Sequence, residues 1–322
     1  MRTIALEEHF WIPELAAPPG TGPLARPDGA TLDQRLRDLG HDRIAAMDAA
    51  GIDVQVMSHV QPAAQALAGQ RATDAARKAN DALARAVAAH PDRLAGFATL
   101  PTGDPRQAAG ELERAVGDLG LVGGMIHSTL GTNSAFLDDA RFEPLLAAFE
   151  ELDVPLYLHP GTAPQPVADI LFGGLDPAVA GRLATNAWGW HAEAGLHALR
   201  MIAAGTFERH PALRLIIGHC GEMLPFMLAR IDQMLPPGVT GLPHPPSAYV
   251  HRSIWVTTSG MFSLPPVLCS IQVMGVDRVL FSVDYPFAPN AAGRELLDAL
   301  PLSPADKAKV AGGNAECLLG LA

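Results

Sequence analysis

Eight short apolar runs recur along this chain, and most are followed by a segment with helical spacing. The runs are 2–9, 52–57, 94–100, 121–126, 154–159, 213–219, 254–258 and 278–284. Apolar runs of this length read as strands buried on both faces. Strands alternating with helices predict a parallel sheet, and eight such units predict a closed (β/α)8 barrel, the TIM barrel of the α/β class. Helical spacing is read at 31–50, 72–89, 105–119, 142–152, about 188–207, 222–234 and 267–274, and two further helices close the chain. Between the fifth strand and its helix lies a longer stretch, 162–187, punctuated by Gly and Pro. Together with the helix after it, this reads as a helical insertion following strand five. The Pro-rich stretches 12–30 and 236–246 read as strand-to-helix loops, so residues 1–322 read as one domain.

Four of the runs end in ionisable residues: Glu7-Glu8-His9, His159, His219 and Asp284. A titratable group at the end of a buried strand is costly unless it meets a partner, a metal or solvent. Four of them, spread over the whole chain, suggest one site at the strand ends of the barrel, where the βα loops converge. Strand alternation puts Glu7 and His9 on one side and turns Glu8 away. With His159 and Asp284 they make a mixed nitrogen and oxygen donor set. One divalent ion per chain is expected there, zinc first, with manganese or magnesium as alternatives. His219 lies between glycines in Gly218-His219-Cys220-Gly221-Glu222, and Glu222 stands three residues on, in reach of its ring. A carboxylate-oriented imidazole is a general acid/base arrangement; Glu222 also suits a helix N-terminus by itself.

The net charge of −11 argues against a nucleic-acid partner, which would need a basic face. No apolar run is long enough to span a bilayer, and no signal peptide is read at the N-terminus. Cys220, Cys269 and Cys317 are odd in number and lack CxxC spacing, which suggests a reducing compartment. The cytoplasm is the expected location.

The motifs Ala5-Leu6-Glu7-Glu8-His9-Phe10, Phe136-Leu137-Asp138-Asp139-x-Arg141-Phe142, Leu156-Tyr157-Leu158-His159-Pro160, Ile216-Ile217-Gly218-His219-x-Gly221-Glu222, Thr257-Thr258-Ser259-Gly260 and Leu280-Phe281-Ser282-Val283-Asp284-Tyr285-Pro286-Phe287 occur in this order. As a set the chain resembles the metal-dependent amidohydrolase superfamily. Within it, the chain looks like the branch of aminocarboxymuconate semialdehyde decarboxylase and the hydroxybenzoate decarboxylases. Glu-x-His in place of His-x-His is similar to the benzoate decarboxylases. The resemblance implies that Glu7, His9, His159 and Asp284 bind the metal and that His219 and Glu222 form the acid/base pair. It further implies a small carboxylic acid substrate and a homodimer or homotetramer. On this reading Asp284 protonates the ring carbon that carries the carboxylate, and His219 takes the phenolic proton. Hydrolysis of an amide, lactone or cyclic ester by a metal-activated water is the alternative, and a non-catalytic metal-binding scaffold is a third reading.

The loops depart from the family pattern. Ile126-His127-Ser128 and Ser58-His59-Val60 stand where Asn-containing turns are expected, and the loop after His159 lacks an arginine- or aspartate-bearing stretch. Phe10, Trp188, Trp190 and Phe287 are candidates for an aromatic wall over a flat substrate; helix-to-barrel packing explains the tryptophans equally well. His59 and His127, at strand ends, are candidates for substrate contact. His191 and His197 are six apart and do not share a helix face, so they read as surface or hydrogen-bonded residues. Glu193 matches a family glutamate to which no role is assigned.

Overall fold

The structure is a computed structural model that describes residues 1–13, 29–128, 130 and 135–321. Most of the loop expected at 12–30 lies outside the described residues. Among the described residues nine strand segments occur in order: β1 (Ile4–Phe10), β2 (Val54–His59), β3 (Leu94–Gly96), β4 (Ala98–Thr99), β5 (Gly124–His127), β6 (Leu156–His159), β7 (Leu215–Ile217), β8 (Ile254–Thr257) and β9 (Val279–Leu280). All named pairings are parallel, β1-β2-β3 in one run and β4 to β9 in the other. β3 and β4 are halves of one predicted strand, divided at Phe97. The Phe97 N–H donates to Met57 O at 2.9 Å on one side, and the Ala98 N–H donates to Gly123 O at 2.8 Å on the other. The remaining gap is crossed by a parallel bridge between Leu6 and Ser282. There Leu6 N–H donates to Phe281 O at 3.2 Å and His9 N–H donates to Tyr285 O at 2.6 Å. The fold is thus the expected (β/α)8 barrel.

Two cores follow from the pleat. Ile4, Leu6, Val54, Val56, Ala95, Phe97, Met125, Tyr157, Ile216 and Leu280 form one buried cluster. They come from alternating strand positions and fill the barrel interior. The other strand face, including Ala5, Met57, Ile126, Leu158, Ile217 and Val256, packs against the helices in the larger cluster.

β1 breaks the alternation at one place. Its pairing with β2 runs Ala5 with Gln55 but Glu8 with Met57, so three residues span what two span opposite. This is a bulge, and Glu7 sits in the left-handed region at φ 62°. Without it, Ile4, Leu6 and Glu8 would share the inner face. With it, the phase shifts by one residue. Glu8 pairs with outward-facing Met57, and its carboxylate instead accepts the N–H groups of Val283 and Tyr285, both at 2.9 Å, stitching β1 to the last strand. Burial pushes the Glu8 carboxyl up to about 8.

The stretch after β6 contains two helices, Gln165–Phe172 and Pro177–Ala184, ahead of the helix Gly189–Ala203. The Gly and Pro residues that mark it as a break in the sequence sit at the helix ends: Pro166 and Pro177 in first turns, Gly173 at a C-cap. Among the described residues no helix is long and apolar enough to cross a membrane.

His197 ties the Gly189–Ala203 helix to the loops above β5. Its ring accepts the Leu137 N–H at 2.7 Å and meets the Ser128 hydroxyl at 2.7 Å. Burial holds its proton affinity down to about 3. The unfolded chain, with an ordinary histidine near pKa 6.5, therefore binds more protons below about pH 6.5. The stabilisation from neutral His197 is complete above that pH and is lost as the pH falls toward 3. His197→Gln is expected to cost about 1–3 kcal/mol at neutral pH, and the gap from wild type should shrink on acidification. Thermal denaturation of both proteins at several pH values measures this; a gap independent of pH contradicts it.

Candidate active site

The bulge in β1 brings Glu7 and His9 to the same inner face at the strand ends. Glu7 is fully buried. Its Oε2 accepts from the hydroxyls of Tyr157 and Ser259 and lies 3.4 Å from Thr257 Oγ1. Gly218 stands against it: a Cβ there would come within 2.8 Å of Glu7 Oε2 and push the carboxylate off its position. The other oxygen, Oε1, is buried with no hydrogen-bond partner. It faces His159 Nε2 at 3.4 Å and His219 Nε2 at 3.7 Å.

The histidines around it are held by their other nitrogens. His159 Nδ1 meets Pro160 O at 2.7 Å, which fixes the proton on Nδ1 and leaves an Nε2 lone pair toward Glu7. His9 Nδ1 lies 3.2 Å from Ser58 Oγ, and its Nε2 lies 3.2 Å from Asp284 Oδ1. Glu7, His9 and His159 each place one donor atom within 4.8 Å of the others. Asp284 reaches this trio through His9. Buried imidazoles around an orphaned carboxylate oxygen are the donor chemistry of a divalent-cation site, so the residues present fit a divalent ion, as expected from the sequence.

Charges within the cluster are strongly perturbed. Burial opposes ionisation of Glu7, but His219, His159 and His9, together with the Ser259 hydroxyl, outweigh it and lower its carboxyl. Burial holds His159 down to about 4. Burial, with Glu7 adding to it, raises the Asp284 carboxyl above its ordinary value despite His9 and His219. His219 goes the other way: burial disfavours its charge, yet Glu222 and Glu7 raise it to about 10. Its Nδ1 lies 2.7 Å from Glu222 Oε1. Glu222, itself buried, is drawn down to about 2 because His219 and His191 overcome its desolvation. The short loop carrying the pair is bent sharply, with His219, Cys220 and Glu222 all at positive φ. Cys220 packs in the main core.

The expected aromatic wall is only partly assembled. Trp190 lies with its ring 6.4 Å from that of His159, and its Nε1 donates to Thr162 Oγ1 at 3.1 Å. Phe287 lies 5.6 Å from the His9 ring. Trp188 is 55% exposed at the start of its helix. Phe10 corrects the sequence reading. It is fully buried in the strand-to-helix core with its ring 5.2 Å from His59, because the alternation that groups Glu7 with His9 turns Phe10 outward. His59 is likewise occupied structurally: its Nε2 accepts the Ile12 N–H at 3.2 Å and its Nδ1 meets Val60 O at 2.8 Å. His127 does border the site, its Nδ1 3.0 Å from His159 Nδ1, with its backbone held on both sides by the Gln65 amide.

Sequence reasoning missed His191. Its Nδ1 lies 2.7 Å from Glu222 Oε2, and its ring centroid is 4.7 Å from that of His219. His191 is on the helix Gly189–Ala203 and Glu222 is 31 positions away, in the turn after β7, so no local spacing connects them. At Gly161 two loops touch: a Cβ there would fall 1.8 Å from Ser128 O, so the backbone after β6 lies directly against the backbone after β5.

A family model described as amidohydrolase matches residues 8–321. The γ-resorcylate decarboxylase of Rhodococcus jostii is 39% identical over 332 residues, covering 99% of this chain and 98% of that protein. A 2,6-dihydroxybenzoate decarboxylase solved with 2,6-dihydroxybenzoate superposes with a TM-score of 0.92 at 35% identity, over 100% of both chains. The dihydroxybenzoic acid decarboxylase of Polaromonas, solved with manganese and the inhibitor 2-nitroresorcinol, gives a TM-score of 0.92 at 35% identity, over 99% of this chain and 97% of that one. The agreement runs from end to end, and this chain belongs to the amidohydrolase family, on the branch that includes γ-resorcylate decarboxylase.

Proposed function

We propose that this chain is a metal-dependent, non-oxidative decarboxylase of a small hydroxyaromatic acid with its hydroxyl ortho to the carboxylate. The observation that carries the reading is the whole-length likeness to enzymes named for this reaction. It falls on a chain whose buried Glu7 Oε1 lacks a hydrogen-bond partner. Glu7, His9, His159 and Asp284 would hold the ion. The manganese in the Polaromonas enzyme favours manganese over the zinc expected from the sequence, and both accept this donor set. When bound, the ion supplies Lewis-acid stabilisation and a template for the carboxylate and phenolic oxygens.

The chain's own groups divide the proton work. Asp284 delivers its proton to the ring carbon that bears the carboxylate. That carbon becomes tetrahedral and the ring loses aromaticity. The bond to the carboxylate then breaks, its electron pair returns to the ring and CO₂ leaves. His219, oriented by Glu222, would take the phenolic proton while the ring carbon is attacked and return it afterwards; it is free to do so once a bound cation offsets the Glu7 charge, which with Glu222 otherwise keeps it protonated. Trp190 and Phe287 would flank the ring.

The test joins metal analysis to product detection. Purified protein is expected to hold one divalent ion per chain and to release CO₂ from a hydroxybenzoate panel. Metal without CO₂ from any member would overturn decarboxylation in favour of hydrolysis. A cytoplasmic homodimer or homotetramer completes the proposal. Ile170 and Leu171, in the insertion, and Phe226, on the helix Leu224–Met234, stand exposed, as apolar residues do where subunits meet. Light scattering after gel filtration reads that state.

A further inference from the structure

We propose that His191 is a positioning residue of the acid/base pair: it pins the second oxygen of Glu222 so that the first is aimed at His219. The inference rests on the role given above to His219 and Glu222. Glu222 is buried, and each of its oxygens meets one imidazole, Oε1 at 2.7 Å from His219 Nδ1 and Oε2 at 2.7 Å from His191 Nδ1. A carboxylate held at both oxygens cannot swing about its last side-chain bond. His191 is itself pinned, its Nε2 3.1 Å from the Asn186 carbonyl oxygen. Glu222 Oε2 can only accept, so His191 Nδ1 donates to it. Its ring then packs edge-on to His219, at 70° between planes.

The chain of contacts is therefore Asn186 carbonyl, His191, Glu222, His219, and finally Glu7 at 3.7 Å. It links the start of the Gly189–Ala203 helix to the centre of the site. Take away His191 and Glu222 Oε2 becomes a buried orphan. The carboxylate would then rotate to seek another donor, and the His219 ring would lose its fixed heading. Such misplacement acts on the chemical step and leaves substrate binding largely alone.

His191→Ala, His191→Gln and wild type should be compared for kcat, KM and metal content, with crystal structures of wild type and the alanine variant. His191→Ala is expected to lower kcat by about 10²-fold with KM and metal content unchanged. His191→Gln, whose amide still donates to Oε2, should recover most of the loss, and added imidazole should partly rescue His191→Ala. In the alanine structure the Glu222–His219 contact should be broken. The proposal is overturned if kcat is unchanged in His191→Ala, or if both variants lose activity alike without imidazole rescue. An inactive wild type would refute the decarboxylase reading. The alanine structure would still judge this one, because an intact Glu222–His219 contact there overturns it.

Discussion

Asp284→Asn is expected to lower kcat by about 10²–10⁴-fold, the range for loss of a positioned general acid. The argument is geometric first. Asp284 Oδ1 lies 3.2 Å from His9 Nε2, beside the donor trio, and the side chain keeps 22% of its surface exposed, so it faces the space a substrate would enter. Burial and Glu7 both push its carboxyl upward, while a bound cation beside it pulls the other way, so Asp284 must be loaded with a proton from substrate or solvent before it can act. Asparagine keeps the shape and one oxygen but has no acidic proton. Metal content should therefore persist while turnover collapses. Steady-state kinetics with 2,6-dihydroxybenzoate and metal analysis of the same sample decide it. Full turnover with metal retained removes Asp284 from the mechanism.

Glu7→Gln should be more severe for the metal and milder for the fold. Oε2 already accepts from Tyr157 and Ser259, so a glutamine would keep its oxygen there. Its NH₂ would then occupy the Oε1 position, 3.4 Å from His159 Nε2 in the native protein. That nitrogen carries a lone pair and would accept the amide hydrogen. The variant thus has a hydrogen-bonded arrangement that satisfies the cluster with no ion in it. We expect metal content near zero, loss of activity by more than about 10³-fold and little change in melting temperature. A Glu7→Gln protein that purifies with its ion would show that Glu7 is not an essential donor.

Much of this architecture is legible in the sequence. The eight-unit rhythm gave the barrel, since buried parallel strands are short apolar runs. The four strand-end groups converge because a parallel barrel gathers the same end of every strand. What could not be read is where local rules yield. Simple alternation groups Glu7 with His9, yet it also groups Ile4 and Leu6 with Glu8. Only the bulge reconciles an apolar interior with a polar end, and φ at Glu7 is a tertiary outcome. Phe10 was misassigned although the same alternation turns it outward. His191 reads from the sequence as a surface or hydrogen-bonded residue, and it is hydrogen-bonded; its partner Glu222 lies in the turn after β7, which no local spacing reveals. In the helical insertion, Gly and Pro mark the ends of helices as readily as they mark a loop.

The contact at Gly161 bears on how selectivity could be changed in the laboratory. Family expectation puts an arginine- or aspartate-bearing stretch in this loop, and grafting one in is the obvious redesign. The Ser128 carbonyl closes that route for position 161, since even a methyl group there would collide with it. A single-residue swap would push the two loops apart and disturb Ser128, whose hydroxyl anchors His197. The loops after β5 and β6 thus form one cassette, to be exchanged together when acceptance of a different acid is sought.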